Sequence, residues 1–237
     1  MTLGDIFEQL TMGELSQISI GGGEQGEINE ANYKRIIPHV NLALTALYKR
    51  FHLKEGRIRV LLIPERSVYP LVGKHAFATR RSTETDRFIL DTVASPFPDD
   101  LLKIERVITQ DGTELGLNDE SDMYGAFTPT FDVLRLPVHP EGQVITVVYR
   151  AKHIPIKMTI GYFDAKRVGL DLPDTFMEPL LYYIASRVNN PIGMTDEFHA
   201  GNSYAAKYEK SCQEIEQRGL QIDTVSQGNS FSRRGWV

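Results

Sequence analysis

The residues best able to do chemistry in this chain fall into a few groups, each pointing to a different reaction. Gly21-x-Gly23-x-x-Gly26 matches the dinucleotide fingerprint, in which glycines let the backbone approach a pyrophosphate at a helix N-terminus. That chemistry needs a buried strand just before it and an acidic residue about 20 positions on, at the end of a second strand. Residues 15–20 are interrupted by Ser16, Gln17 and Ser19, and Glu65 lies too far along. The segment is therefore expected to be a flexible connection. A nucleotide-binding enzyme built on residues 21–26 is the lesser alternative.

The six histidines, His39, His52, His75, His139, His153 and His199, include no pair at metal-ligand spacing, so structural or solvent-facing roles are expected. The single cysteine, Cys212, falls on the apolar face of a predicted helix with no basic neighbour on that face. It reads as an inert core thiol. Asn118-Asp119-Glu120-Ser121-Asp122 is acidic but lacks the EF-hand pattern, and is expected to form a solvated loop. The chain contains neither a Gly-x-Ser-x-Gly elbow nor a phosphate-loop lysine. No catalytic residue, metal or cofactor is expected, and the protein is not expected to be an enzyme. The C-terminus differs: Phe231, Arg233, Arg234 and Trp236 are residue types favoured as interface anchors, and they hang on a Gly/Ser-rich segment too polar to bury itself.

The elements that must position these groups change character along the chain. With 237 residues, 41% hydrophobic and 24% charged, the composition is that of a globular protein of one or two domains. A net charge of -5 argues against a dedicated nucleic-acid binder. No apolar run reaches the roughly 20 residues needed to span a bilayer, and Met1-Thr2-Leu3-Gly4-Asp5 lacks signal-peptide character. Synthesis in a reducing cytoplasm is the expectation.

Residues 5–18 read as a short amphipathic helix weakened by Gly13. A second helix should start at an Asn29 cap and run to Phe51 through Ile37, Val40, Leu44 and Leu47, with a kink or break at Pro38. From Arg57 the period becomes that of strands: residues 57–63, 87–90, 102–109, 130–136 and 143–151, with a tight turn at Asp111-Gly112 and a long loop over 67–85. Residues 170–193 then form the central helix, with Met177, Leu180, Leu181, Ile184 and Val188 inward and Pro179 bending its start. A last helix covers 203–218, with Tyr204, Tyr208, Cys212 and Ile215 on one face and Gly219 as its C-cap. The predicted fold is α+β: a helical bundle formed by N- and C-terminal helices, an inserted antiparallel β domain and an extended C-terminal tail. The corresponding boundaries are 1–55 with 170–221, 56–169, and 222–237.

Several of these pieces together resemble one family. They are Leu172-Pro173-Asp174 with Tyr182-Tyr183-Ile184-Ala185-Ser186-Arg187, Gly201-Asn202-x-Tyr204-x-x-Lys207-Tyr208-Glu209, and the closing Arg234-Gly235-Trp236-Val237. Upstream, Val40-Asn41-x-Ala43-Leu44-x-x-Leu47-Tyr48-x-Arg50-Phe51, the turn Gln110-Asp111-Gly112-Thr113 and Tyr149-Arg150-Ala151 fit as well. The chain resembles, over nearly its whole length, the head-to-tail adaptor (connector) proteins of short-tailed bacteriophages.

That resemblance implies a structural virion protein of the neck, between capsid portal and tail. It implies a homo-oligomeric ring, a dodecamer, under the portal protein and above a downstream tail or nozzle protein, with DNA passing transiently and non-specifically through the channel during ejection. No membrane is involved. The tail, with Phe231, Arg233, Arg234, Trp236 and Val237, would bind the portal. Fully extended, about 16 residues reach roughly 50 Å. An acidic chain suits a conduit that must release DNA. The other ring reading is a different neck component, a head-completion or tail-terminator protein. The glycine segment and Pro38 depart from the family pattern.

Overall fold

The computed structural model describes residues 1–18, 20, 26–78, 87–137, 142–158, 163–189 and 196–220, with backbone alone for 196–200. Among these, four α-helices and two antiparallel sheets make the fold α+β. The described chain divides into two units, one from Met1–Leu53 together with residues from His153 on, the other Lys54–Lys152.

In the first unit, α1 (Leu3–Met12) begins two residues earlier than the 5–18 expectation and ends six earlier. A capping box sets its start. The Asp5 amide donates to Thr2 Oγ1 at 3.2 Å, and the Thr2 amide donates to Asp5 Oδ2 at 2.7 Å. Its end is Gly13, whose amide caps onto Gln9. The second helix, α2 (Tyr33–Arg50), starts at Asn32 rather than Asn29. Asn29 spends its side chain on the Ala31 amide, a local turn. Buried Asn32 accepts from the Asn29 amide and donates to the carbonyls of Ile20 and Glu27, tying the incoming chain to the helix start. Pro38 does not end α2; the helix is continuous through it.

Residues 170–193 divide into a 3-10 turn (Asp174–Phe176) and α3 (Met177–Val188), stopped at Asn189. Because the α-helix starts only at Met177, Pro179 sits in its first turn, where the missing N–H is one that would have no partner anyway. The last helix, α4 (Asp196–Gln217), begins well before Ser203. It closes in a Schellman motif: Gly219 has φ +63, its amide bonds Glu216, and the Leu220 amide bonds Ile215. Leu3, Ile6 and Leu10 of α1, Val40, Leu44 and Leu47 of α2, Leu180 and Ile184 of α3, and Cys212 and Ile215 of α4 belong to one buried apolar cluster.

The segment after residue 152 joins this unit. The Asn41 side chain both donates to and accepts from the backbone of Ile156, at 3.0 and 2.9 Å, and Leu3 and Leu170 hydrogen-bond to Val168 and Met1.

The second unit carries β1 (Glu55–Leu61), β2 (Val68–Pro70), β3 (Ile89–Leu90), β4 (Leu101–Ile108), β5 (Phe127–Thr130), β6 (Val133–Arg135) and β7 (Val144–Ala151). One sheet has the order β3-β1-β7-β4 and the other β2-β6-β5. The expected strand over 130–136 is instead the hairpin β5–β6. Pro129 sits within β5 where the ladder's register shifts between Phe127 and Thr130, and Asp132 accepts from the Thr130 hydroxyl to close the turn. The expected loop over 67–85 contains β2, fixed by Tyr69, whose hydroxyl donates to Arg66 O and accepts from the Ile63 amide. The turn at Asp111-Gly112 is where β4 reverses, with Gly112 at φ +89. Val60, Leu62, Tyr69, Phe88, Val107, Leu134 and Val147 are central to a separate apolar cluster.

Candidate functional site

The most site-like feature among the described residues lies in the second unit, where β3 gives out. β3 pairs with β1 only at Arg59 and Val60, whereas β7 pairs with β1 along its whole length. Beside the uncovered half of β1, residues 91–98 fold back and leave a cavity of about 330 Å³. Asp91 shapes this loop by accepting from the Ala78 amide at 2.7 Å and the Phe97 amide at 2.9 Å. Thr92 and Ser95 close a tight turn on each other. Arg57 and Arg59 project from one face of β1 and line the opening with Thr92 and Ser95, while Phe97 and Tyr149 form an aromatic wall.

That wall is rigid. Phe97 meets Tyr149 edge to face at 6.2 Å, and the Tyr149 hydroxyl donates to Asp100 Oδ1 at 2.7 Å. Asp100 is buried. Burial first, and then that hydrogen bond, push the Tyr149 phenol well above its usual range. Gly56, directly opposite Tyr149 across the ladder, makes room for the ring: a Cβ there would lie 2.2 Å from Tyr149 Cζ. The lining offers arginines, hydroxyl-bearing residues and an apolar wall, with the Asp91 carboxylate taken up by two backbone amides. This set is suited to holding an anionic group, and the one phenol is locked as a donor to a carboxylate.

A second charged constellation ties the helices of the first unit together. Arg50, at the end of α2, donates to both oxygens of Glu209 (2.6 and 3.0 Å) and both of Glu216 (2.7 and 3.2 Å) on α4. Those bonds hold both carboxyls below their usual range. Cys212 lies on the same helix and is fully buried, and burial raises its thiol although Arg50 opposes the shift. On the facing side, Glu178 of α3 accepts from Tyr182 and from Ser211 of α4.

The anchors named from sequence, Phe231, Arg233, Arg234, Trp236 and Val237, lie outside the described residues, as do residues 21–25 of the glycine segment. Gly26, at φ +77, bonds Ile18 through its amide. The acidic stretch at 118–122 closes local turns through Asp119 and Asp122. Sequence reasoning passed over the cleft by β1 because its three parts, residues 57–59, 90–98 and 149, are far apart in the chain and share no motif. Only the alternation of Arg57 and Arg59 with buried Ile58 hinted at a charged strand face.

Among the described residues no group of three or more His, Cys, Asp or Glu side chains is placed to hold a metal, and no helix is long and apolar enough to cross a membrane. No protein-family model matches the chain, and no curated protein matches it.

Proposed function

We propose that this chain is a structural virion protein, a head-to-tail adaptor whose copies form a ring joining the portal to the tail. The observation that carries the reading is the way the chain is threaded. It leaves the helices after residue 53, builds an antiparallel unit from one uninterrupted stretch, and returns at 153 so that N- and C-terminal helices share one apolar core. This supports the finer architecture of a helical bundle with an inserted β domain, and it agrees with the family motifs on α2, α3 and α4.

In this reading the helices build the ring, which is a dodecamer. The tail residues Phe231, Arg233, Arg234, Trp236 and Val237 reach up to the portal protein, and the opposite rim meets a downstream tail or nozzle protein. DNA passes through the channel without being gripped, consistent with a net charge of -5. A single tail binds weakly because ordering it costs entropy, and the ring multiplies that attachment.

Native mass spectrometry and electron microscopy of the full chain, alone and with portal-bearing heads, test this. A ring that joins portals is expected, along with its loss when residues 231–237 are deleted from an otherwise folded protein. A ring that attaches equally well without those residues removes the anchor role and favours another neck component. A monomer that binds NAD or ATP overturns the reading in favour of an enzyme.

A further inference from the structure

We propose that the open edge of β1 is a docking site for one extended, acidic strand from a partner chain, a role separate from the tail anchor. Hydrogen-bond accounting locates the edge. In an antiparallel ladder a residue's N–H and C=O point to the same neighbour, and the direction alternates along the strand. The Leu61 amide bonds Phe88 O and the Leu62 amide bonds Gln143 O, so odd-numbered residues of β1 face the β3 side and even-numbered ones face β7. β3 ends at Leu90, opposite Arg59. The backbone groups of Arg57 and Glu55 therefore point past its end, where no strand among the described residues pairs with them.

The cavity of about 330 Å³ lies along this edge, bounded on the far side by the 92–98 loop. A strand laid there extends the sheet by main-chain bonds, and its side chains alternate between the two faces. One set stands beside Arg57 and Arg59; the other packs over Ile58 and Phe97. The occupant must therefore alternate a group suited to guanidinium with an apolar group.

The charge of the first set follows from the ion pairs. Glu55 is shared by Arg57 (3.0 Å) and Arg106 (3.4 Å), and Glu105 by Lys103 (3.3 Å) and Arg150 (3.5 Å). Arg59 has no carboxylate partner among the described residues. On this face of the sheet five cations thus stand against two carboxylates, on a chain whose overall charge is -5. Asp91, the carboxylate that lines the cavity, spends both oxygens on the Ala78 and Phe97 amides, and a carboxylate opposite Arg57 is the missing complement. Charges on an edge ordinarily repel a passing strand. Here they repel basic strands and admit an acidic one, which is specificity by repulsion.

The test uses the full chain, isotope-labelled, and two capped hexapeptides, Thr-Glu-Val-Glu-Val-Thr and its counterpart with lysine for glutamate. In the free protein the Arg57 amide should exchange with solvent much faster than those of Ile58 and Val60. The glutamate peptide should give saturable shifts at Arg57, Thr92 and Phe97 and slow Arg57 exchange at least tenfold; the lysine peptide should not. Arg59→Glu should weaken the first peptide at least tenfold and admit the second, with the melting temperature unchanged. An Arg57 amide as protected as Ile58 in the free chain, equal binding of both peptides, or no saturable shift up to millimolar glutamate peptide each overturns the proposal.

Discussion

Gly56 and Tyr149 face each other across a ladder, and the aromatic ring occupies the space a side chain on residue 56 would need. The ring cannot easily swing away, because its hydroxyl is bonded to buried Asp100. Gly56→Ala should therefore cost about 1–3 kcal/mol through overpacking, measured by urea unfolding, and Tyr149→Phe a similar amount by leaving Asp100 without its donor. Full stability in both variants would mean that the wall of the cleft is softer than described. A second residue-level expectation concerns pH. His153 is enclosed by Thr45, the Asn41 carbonyl and the Ile154 carbonyl, and burial lowers its pKa despite those carbonyls; burial, then Arg187, lowers that of His39. The unfolded chain takes up these protons first, near 6.5. Stability is then complete above that value and falls as pH drops through it toward the depressed folded values. Unfolding midpoints at pH 7.5 and 5.5 should differ less in His153→Gln than in the wild type. None of this was legible in the sequence, where histidine spacing speaks only to metal ligands and says nothing about which imidazoles become enclosed.

Helices show the opposite balance between pattern and outcome. Ile184 is fully buried in α3 within the apolar cluster that includes residues of α1, α2 and α4, so Ile184→Asp should cost several kcal/mol by burying an unpaired charge. Arg50→Ala removes four hydrogen bonds from α4, yet Glu209 and Glu216 are 51% and 40% exposed. Water screens them, and the loss should be about 1 kcal/mol. Thermal melts of the two variants would show which force holds α4, and a larger loss in the arginine variant would reverse the ranking. The inward faces of α2, α3 and α4 could be read in advance because each spreads its apolar positions over three or more turns. Short strands carry no such redundancy. β2 is three residues ending in Pro70, and β5 and β6 together look like one continuous run until Phe131 and Asp132 are given their turn roles. The caps divided the same way. Gly219 was evident from its position, whereas choosing Asn32 over Asn29 required seeing that Asn32 also holds the carbonyls of Ile20 and Glu27.

At the scale of the molecule, a stretch of 99 residues, Lys54–Lys152, has an apolar cluster of its own. That stretch should fold when expressed alone, with dispersed amide NMR signals and a cooperative melt; a spectrum of collapsed, poorly dispersed signals would show that it depends on the helices. The change from helical to strand period near Arg57 announced this unit in the sequence. Its neighbouring cleft did not, since the cleft exists only because β3 is two residues long and leaves half of β1 without a partner on that side. The pairing of Glu55 with Arg150 puts both ends of the unit side by side on adjacent antiparallel strands, β1 and β7. Tension drawing those two ends apart would load their ladder in the unzipping direction, breaking one rung at a time instead of shearing all rungs together. Held by its two ends in an optical trap, this unit should open at low force and in small steps, and should close again as soon as the pull is relaxed.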